Sequence, residues 1–572
     1  MDFASRRMRK LAAAALIAFA ASACVSAGGD RGEADQVYWG GPIYTANEAQ
    51  PTAEAVAVAG GVVSFVGSRA DAQALVGPGT EVVDLGGGAL FPGFTDAHAH
   101  LRGIGEREYG LNLEGAASLA EAMQRVADHL ARTEADGPVW GRGWIETAWP
   151  ERRFVTRADI DAVSAEIPII LTRADGHAAA ANSAALAAAG IDAATPAPEG
   201  GEILKDAAGH PTGMLIDNAM ALLEPLRVPP AGGDAELLLQ TALEVEAAYG
   251  WTGAHNMSVP WSEVTLLEDM AARGEVPIHV YNAVAVEDAD ALIAEGPRRS
   301  ADGRVRTRAV KLYADGALGS RGAALFDPYA DADTSGLLVT SRAALARDLG
   351  RLHAAGLQAA THAIGDRAND LVLDLYEEIL SEDEEGPARR WRIEHAQVLR
   401  PVDIPRFAEL GVVASMQPSH AIGDLHFAPD RLGLARLEGA YAWASLIETG
   451  AILAAGSDAP VERGDPLIEF YAAIARRDLD GYAGPGWRPE EAMSRADALR
   501  AFTLWPAYAS FMEDETGSIE VGTRADFSGF SVDLMQAEPA EILAARAILT
   551  VVDGEIVHDC RTGCGSGPLA GR

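Results

Sequence analysis

Residues Phe91-Pro92-Gly93-Phe94-Thr95-Asp96-Ala97-His98-Ala99-His100 decide how the rest of the chain is read. An apolar run broken by Pro-Gly predicts a β-strand. Side chains alternate along a strand, so His98 and His100 face the same side. Two neutral imidazoles on one face are ready ligands for a divalent cation such as zinc. Alone, a His-x-His pair carries little weight, because a packed core pair explains most instances. Its meaning depends on what the strands further along supply.

Upstream, Val37-Tyr38-Trp39, Ala55 to Val58, Val62 to Val66, Val82 to Asp84 and Ala89 to Phe91 read as short strands, with Gly60-Gly61 as a hairpin turn. Near the other end, Gly517 to Ile519, Ala525 to Ser528, Ala547 to Val552 and Glu555 to Val557 read the same way, with a turn at Asp553-Gly554. Residues 35–90 and 511–560 are therefore expected to complete one small composite β-sandwich. Between them, apolar strands alternate with Ala/Leu/Glu-rich helical stretches, the pattern of a parallel α/β barrel. Eight candidates, at 91–97, 250–256, 277–284, 307–314, 357–362, 391–396, 411–417 and 451–457, predict a (β/α)8 TIM-like barrel over 91–510. The gap 101–245 is too long for one crossover and predicts an inserted subdomain over the C-terminal mouth of the barrel.

Composition narrows the function. The 572-residue chain is 48% apolar, enough for a large core, and carries a formal charge of −37. That balance argues against a nucleic-acid-binding protein, which needs basic patches. The chain uses arginine nearly everywhere; its lysines are Lys10, Lys205 and Lys311.

The ends of the predicted strands carry the chemistry. The first ends in His98 and His100. The fourth holds Lys311 and Asp315, the fifth ends at His362, the sixth at His395, and the eighth at Asp458. A lysine kept at a strand end in an arginine-rich chain suggests chemistry closed to a guanidinium. A buried amine can lose its proton and take up carbon dioxide as a carbamate, whereas arginine stays protonated. For each histidine alone a satisfied core residue is the commoner case. Four of them with Lys311 and Asp458, all at strand ends of one barrel, point instead to a metal-dependent hydrolase.

His98-Ala99-His100, Val310-Lys311-Leu312-Tyr313-Ala314-Asp315-Gly316, Thr361-His362-Ala363-Ile364-Gly365-Asp366, Arg392-Ile393-Glu394-His395-Ala396-Gln397 and Gly456-Ser457-Asp458-Ala459-Pro460 resemble the motifs of the amidohydrolase superfamily. More narrowly, they resemble its family 3 branch, which includes N-substituted formamide deformylases. Gly141 to Trp144, Asp175-Gly176-His177 with Asn182-Ser183, Gly200 to Ile203 and Pro211 to Met214 match that branch, over roughly residues 35–560. Asn256 stands where the branch often has Asp.

The resemblance implies that His98, His100 and Asp458 hold one metal. A carbamate on Lys311 would bridge to a second metal held by His362 and His395. Asp458 would act as general base and then general acid on a metal-activated water. The residues alone are equally compatible with one ion and an unmodified Lys311. His177 is expected to reach the substrate carbonyl from the insertion. Trp144, Tyr313, Asp315, Arg321, Gln417 and His420 are expected to line the substrate pocket. His255 is expected to orient a ligand.

The expected reaction on a small-molecule substrate is hydrolysis of a non-peptide C–N bond, in an N-substituted amide or formamide. The same site could serve an ester, a lactone or an amino-acid conjugate. A non-catalytic envelope lipoprotein with a degenerate barrel would require missing ligands, and none is missing.

Residues 1–23 read as an export signal, with Arg6, Arg7, Arg9 and Lys10 before the apolar Leu11 to Ala21. Ala21-Ser22-Ala23-Cys24 fits a plain cleavage site and also a lipobox with a lipid anchor on Cys24. The expected location is the periplasm or, lipid-anchored, the membrane of a Gram-negative-type envelope. Residues 24–34 read as a tether and 561–572 as a tail. Cys560 and Cys564 read either as a disulfide or as two terminal thiols. The sequence leaves the oligomeric state open, a homodimer included.

Overall fold

The structure is a computed structural model and describes residues 32–133, 137–147, 149–227, 235–381 and 383–563. Residues 1–23, expected to be an export signal, together with Cys24 and Cys564 lie outside the described residues. Cys560 is disulfide-bonded.

The eight barrel strands are Phe94–Ala99, Trp251–Val259, His279–Ala285, Val305–Tyr313, Gln358–Ala363, Arg392–His395, Val413–Met416 and Leu453–Ala455. Each pairs in parallel with the next in that order. Strands this short and apolar are covered on their outer side by Ala/Leu-rich helices, which explains their near-continuous burial. The chain is thus a (β/α)8 barrel.

The barrel closes between its first and last strands with little ladder. Asp458 N–H donates to His98 O at 2.6 Å and His100 N–H to Ala459 O at 2.8 Å. Buried Asp96 accepts from Ser457 N–H at 2.9 Å, from His98 N–H at 3.0 Å and from the Ser457 hydroxyl. Gly456 lets the two backbones approach this closely, since a Cβ there would lie 2.4 Å from His98 N and 2.5 Å from Asp96 Oδ1.

The chain ends build two facing sheets. One contains Gln36–Trp39, Ala55–Ala59, Val62–Gly67 and Glu81–Asp84; the other combines Ile43–Tyr44, Thr52–Ala53 and Ala89–Pro92 with Phe527–Phe530, Ala547–Val552 and Glu555–Asp559. Alternation sorts their side chains. Tyr38, Val56 and Val58 enter the core between the sheets, while Val37, Trp39, Ala55 and Ala57 pack on the opposite face.

Between the first and second barrel strands lies a six-stranded sheet running from Leu111–Asn112 to Pro211–Asp217. Its two faces are both buried: Ile169, Leu171, Ala178, Ala180, Met214 and Ile216 pack on one side, Ile170, Ala179, Ala181 and Leu215 on the other. Helices Leu101–Tyr109 and Ala235–Tyr249 at its borders pack against each other and join the helical layer of the barrel. The separate unit is therefore shorter than the whole gap 101–245.

Candidate metal centre

His98, His395 and Asp458 place ligand atoms within 4.8 Å of one another. They come from strands one and six and the end of strand eight. The His98 ring lies 4.9 Å from that of His395, and His395 lies 4.6 Å from His362. His100 Nε2 is 3.1 Å from Asp458 Oδ1, and Lys311 Nζ is 3.1 Å from His98 Nε2. His395 and Asp458 have φ of 74° and 61°, a left-handed backbone uncommon for residues with a Cβ. That turn at each strand end aims a side chain that simple alternation would send elsewhere.

The donor chemistry fits a metal. His98 donates from Nδ1 to Glu394 at 2.6 Å, His100 from Nδ1 to Met257 O at 3.1 Å, and His395 from Nδ1 to Gln417 Oε1 at 2.8 Å. The Gln417 amide is oriented by its own donation to Ser415 O at 3.4 Å. Each acceptor fixes the tautomer that leaves Nε2 unprotonated, the usual support for a ligating imidazole. His362 Nε2 and Asp458 Oδ1 are buried without hydrogen-bond partners, as atoms awaiting a ligand would be. Burial, with Lys311 adding to it, draws the His98 pKa down to about 4, so the ring is neutral near pH 7. The residues present therefore fit one or two divalent cations. A second grouping, His279, Asp526 and Asp553, is spent on ion pairs, because Asp553 is held by Arg304 and Arg524.

Lys311 is 1% exposed. Burial brings its pKa down to about 8, against the pull of Glu394 and Asp458 upward. Its Nζ lies 5.0 Å from the Tyr313 ring and has no carboxylate partner among the described residues.

Beneath the ligands is a layer that strand alternation hid. Arg392 and Glu394 both point into the barrel at 0% exposure, with Arg392 Nε 2.7 Å from Glu394 Oε1. Arg392 also donates to His255 Nδ1 at 2.8 Å, to Ala97 O at 2.7 Å and to Ser415 Oγ at 2.8 Å. His255 thus orients Arg392 rather than a ligand. The signal in the sequence was the i, i+2 spacing of two opposite charges inside an apolar strand.

Other expected pocket residues divide. His177, His362, His395, His420 and Asp458 line one cavity of about 280 Å³. His177 donates from Nδ1 to Asp217 at 2.7 Å, and its ring lies 5.0 Å from His362. Burial lowers the His177 pKa, but the hydrogen bond and charge of Asp217 outweigh it and the net shift is upward. His420 Nε2 is 3.5 Å from Asp458 Oδ2.

Trp144 does not line the cavity. It is fully buried in the inserted unit with Nε1 donating to Leu171 O at 2.8 Å, and alternation turns Gly143 and Ile145 to the cavity instead. Asp315 is also withdrawn, its oxygens accepting from Ala324, Ile364 and Gly365 N–H at 2.7, 2.9 and 2.8 Å. Gln417 serves His395 rather than the cavity wall. Tyr313 sits beside the site, its hydroxyl 2.5 Å from Ser258 Oγ. Arg321 faces an adjoining cavity and pairs with Asp331 at 2.8 Å.

The profile of the amidohydrolase family matches residues 81–558. The protein YtcJ of Bacillus subtilis (strain 168) is 34% identical over 536 residues, covering 91% of this chain and 99% of that protein. The N-substituted formamide deformylase of Arthrobacter pascens is 28% identical over 550 residues, covering 91% and 97% respectively. A crystal structure of an uncharacterized metal-dependent hydrolase from Pyrococcus horikoshii superposes with a TM-score of 0.70 at 27% identity, covering 88% of this chain and 99% of that one.

Proposed function

The chain belongs to the amidohydrolase family, and from that premise we propose that it hydrolyses the C–N bond of an N-substituted amide or formamide at the cavity holding His98, His395 and Asp458. The observation that carries this reading is the convergence of neutral imidazoles on Asp458, with His177 facing them across the cavity. The N-substituted formamide deformylase from Arthrobacter pascens supports the choice of bond.

His98, His100 and Asp458 would hold one divalent cation, and His362, His395 and a carbamate on Lys311 a second; zinc suits this nitrogen and oxygen donor set. A bound cation would polarise the scissile carbonyl and lower the pKa of the attacking water. Asp458 takes the proton of that water as the oxygen attacks the carbonyl carbon. His420 lies against Asp458 on the cavity side and helps hold it. His177, its Nδ1 tied to Asp217, presents Nε2–H to the oxygen that gains negative charge. When the C–N bond breaks, Asp458 returns the proton to the departing amine, so that the acid and the amine leave as separate products.

The test joins metal analysis with a panel of N-substituted amides and matched esters. Stoichiometric metal, loss of hydrolysis on chelation and a preference for the amides are expected. Substoichiometric metal with chelator-insensitive hydrolysis would overturn the reading, and a consistent preference for the esters would replace the bond assignment.

A further inference from the structure

A second cavity, of about 400 Å³, adjoins the histidine-lined one, and the two share Thr147, His426 and Phe427. Arg152, Arg153, Arg321 and Arg431 line this annex, an unexpected concentration of guanidinium in a chain of charge −37. Its nearest carboxylates do not neutralise all of them. Glu146 is held through both oxygens by Arg173, at 2.8 and 3.2 Å. Arg153 is satisfied by Asp159 through two contacts of 2.7 Å. Arg321 and Arg431 have a single carboxylate, Asp331, between them. Arg152 is exposed at the rim and has no carboxylate partner among the described residues; Asp430 is an exposed carboxylate on the same rim.

Backbone geometry marks the same place. Arg152 and Arg321 have φ of 45° and 64°. Residues with a Cβ rarely adopt that conformation, and where they do the surrounding structure imposes it, commonly at binding sites. Here it sets two arginine side chains at one opening. The unpaired guanidinium of Arg152, with Arg321 and Arg431 sharing one carboxylate, draws an anionic group to this outer opening.

We propose that the annex binds a carboxylate carried by the substrate at the end remote from the scissile bond, which makes the substrate class N-substituted amides bearing a distal carboxylate. This rests on the hydrolase reading above. The planar guanidinium fork matches a carboxylate through two parallel hydrogen bonds, and it orients the ligand as well as holding it.

The experiment uses metal-loaded full-length enzyme and two amides identical except that one ends in a carboxylate and the other in a carboxamide. The carboxylate form is expected to show the higher kcat/KM, by roughly tenfold, the effect of one well-placed charged contact. In Arg152→Gln and Arg321→Gln, KM is expected to rise roughly tenfold more for the carboxylate form than for its twin, with kcat for the carboxylate form little changed. Equal kcat/KM in the parent enzyme, or equal shifts for both substrates in the variants, would overturn the proposal. If neither amide is cleaved, the hydrolase reading fails, and calorimetric titration with hexanoate decides the annex alone. Binding weakened at least fivefold in Arg152→Gln supports it, and no binding to the parent protein overturns it.

Discussion

His98 Nδ1 and Glu394 Oε2 lie 2.6 Å apart beneath the candidate metal centre, both at 0% side-chain exposure. Burial alone would raise the Glu394 pKa, yet Arg392 and His98 hold it well below the usual carboxylate range. A permanently charged acceptor therefore fixes the His98 tautomer, and the same carboxylate balances a buried guanidinium. Glu394→Gln is expected to lower stability by about 3 kcal/mol, because Arg392 is left uncompensated. It is also expected to weaken metal binding by roughly 10- to 100-fold. Urea unfolding and metal titration read the two effects, and unchanged metal affinity would remove Glu394 from the support of the site.

Lys311→Ala is expected to abolish hydrolysis and the dependence of metal loading on bicarbonate. With burial setting the amine near a pKa of about 8, its neutral, nucleophilic fraction grows as pH rises through that value. Bicarbonate-dependent loading of metal-free protein should thus be faster on the alkaline side of it than at neutral pH. Metal uptake indifferent to bicarbonate, or a fully active Lys311→Ala, would refute the carbamate.

His177 and Asp217 form the second test pair. Asp217→Asn and His177→Gln are each expected to lower kcat by about 10²-fold or more, the effect of removing one donor to a developing oxyanion. The pH profile gives the sign. Asp217 holds the His177 pKa up, so a donating imidazolium persists to higher pH, and kcat falls as pH rises through that raised value. In Asp217→Asn the falling limb should move to lower pH. A change confined to KM would show that His177 binds substrate without stabilising the transition state.

Asp526 joins the sandwich to the barrel. It accepts from His279 Nε2 at 3.0 Å, Thr516 Oγ1 at 2.9 Å and Asp553 N–H at 2.8 Å. Burial raises its pKa, but His279 and these donors more than reverse that, leaving it below its ordinary value. A depressed carboxylate pKa contributes stability that is complete above the unfolded value, about 3.9, and is lost as pH falls below it. Asp526→Asn should destabilise by about 1–3 kcal/mol near neutral pH. That difference should shrink in denaturation curves taken at decreasing pH below about 4. A difference that does not change with pH would mean that Asp526 is not charged in the folded protein.

What the sequence made legible was whatever repeats at a fixed period. Eight apolar runs separated by helical stretches revealed the barrel, and the strand-end positions of His98, Lys311, His362, His395 and Asp458 pointed to the candidate centre. Trp144 and Asp315 were misplaced because a motif records which residues recur and not which way they point. One faces a core built within the insertion, and the other caps backbone N–H groups of two loops. Arg392 and Glu394 were unread as functional because a charge pair in a strand ordinarily signals a solvated face, and only the closed barrel turns that face inward. The annex was invisible for a related reason: its arginines come from segments more than 100 residues apart, and two of them are placed by backbone angles that no period encodes.

The Phe94 N–H is satisfied by the hydroxyl of Ser528, 434 residues later in the chain. The strand Ala89–Pro92, which leads into the barrel strand carrying His98, pairs with Phe527–Phe530 in the same sheet. During synthesis the strand Ala89–Pro92 therefore keeps an unpaired edge until residues 527–530 have been made. Nascent chains arrested before residue 525 are expected to be cut readily by protease within residues 35–90, and chains carried through residue 560 to be protected. A segment made 434 residues later thus acts as the latch of the first metal-site strand.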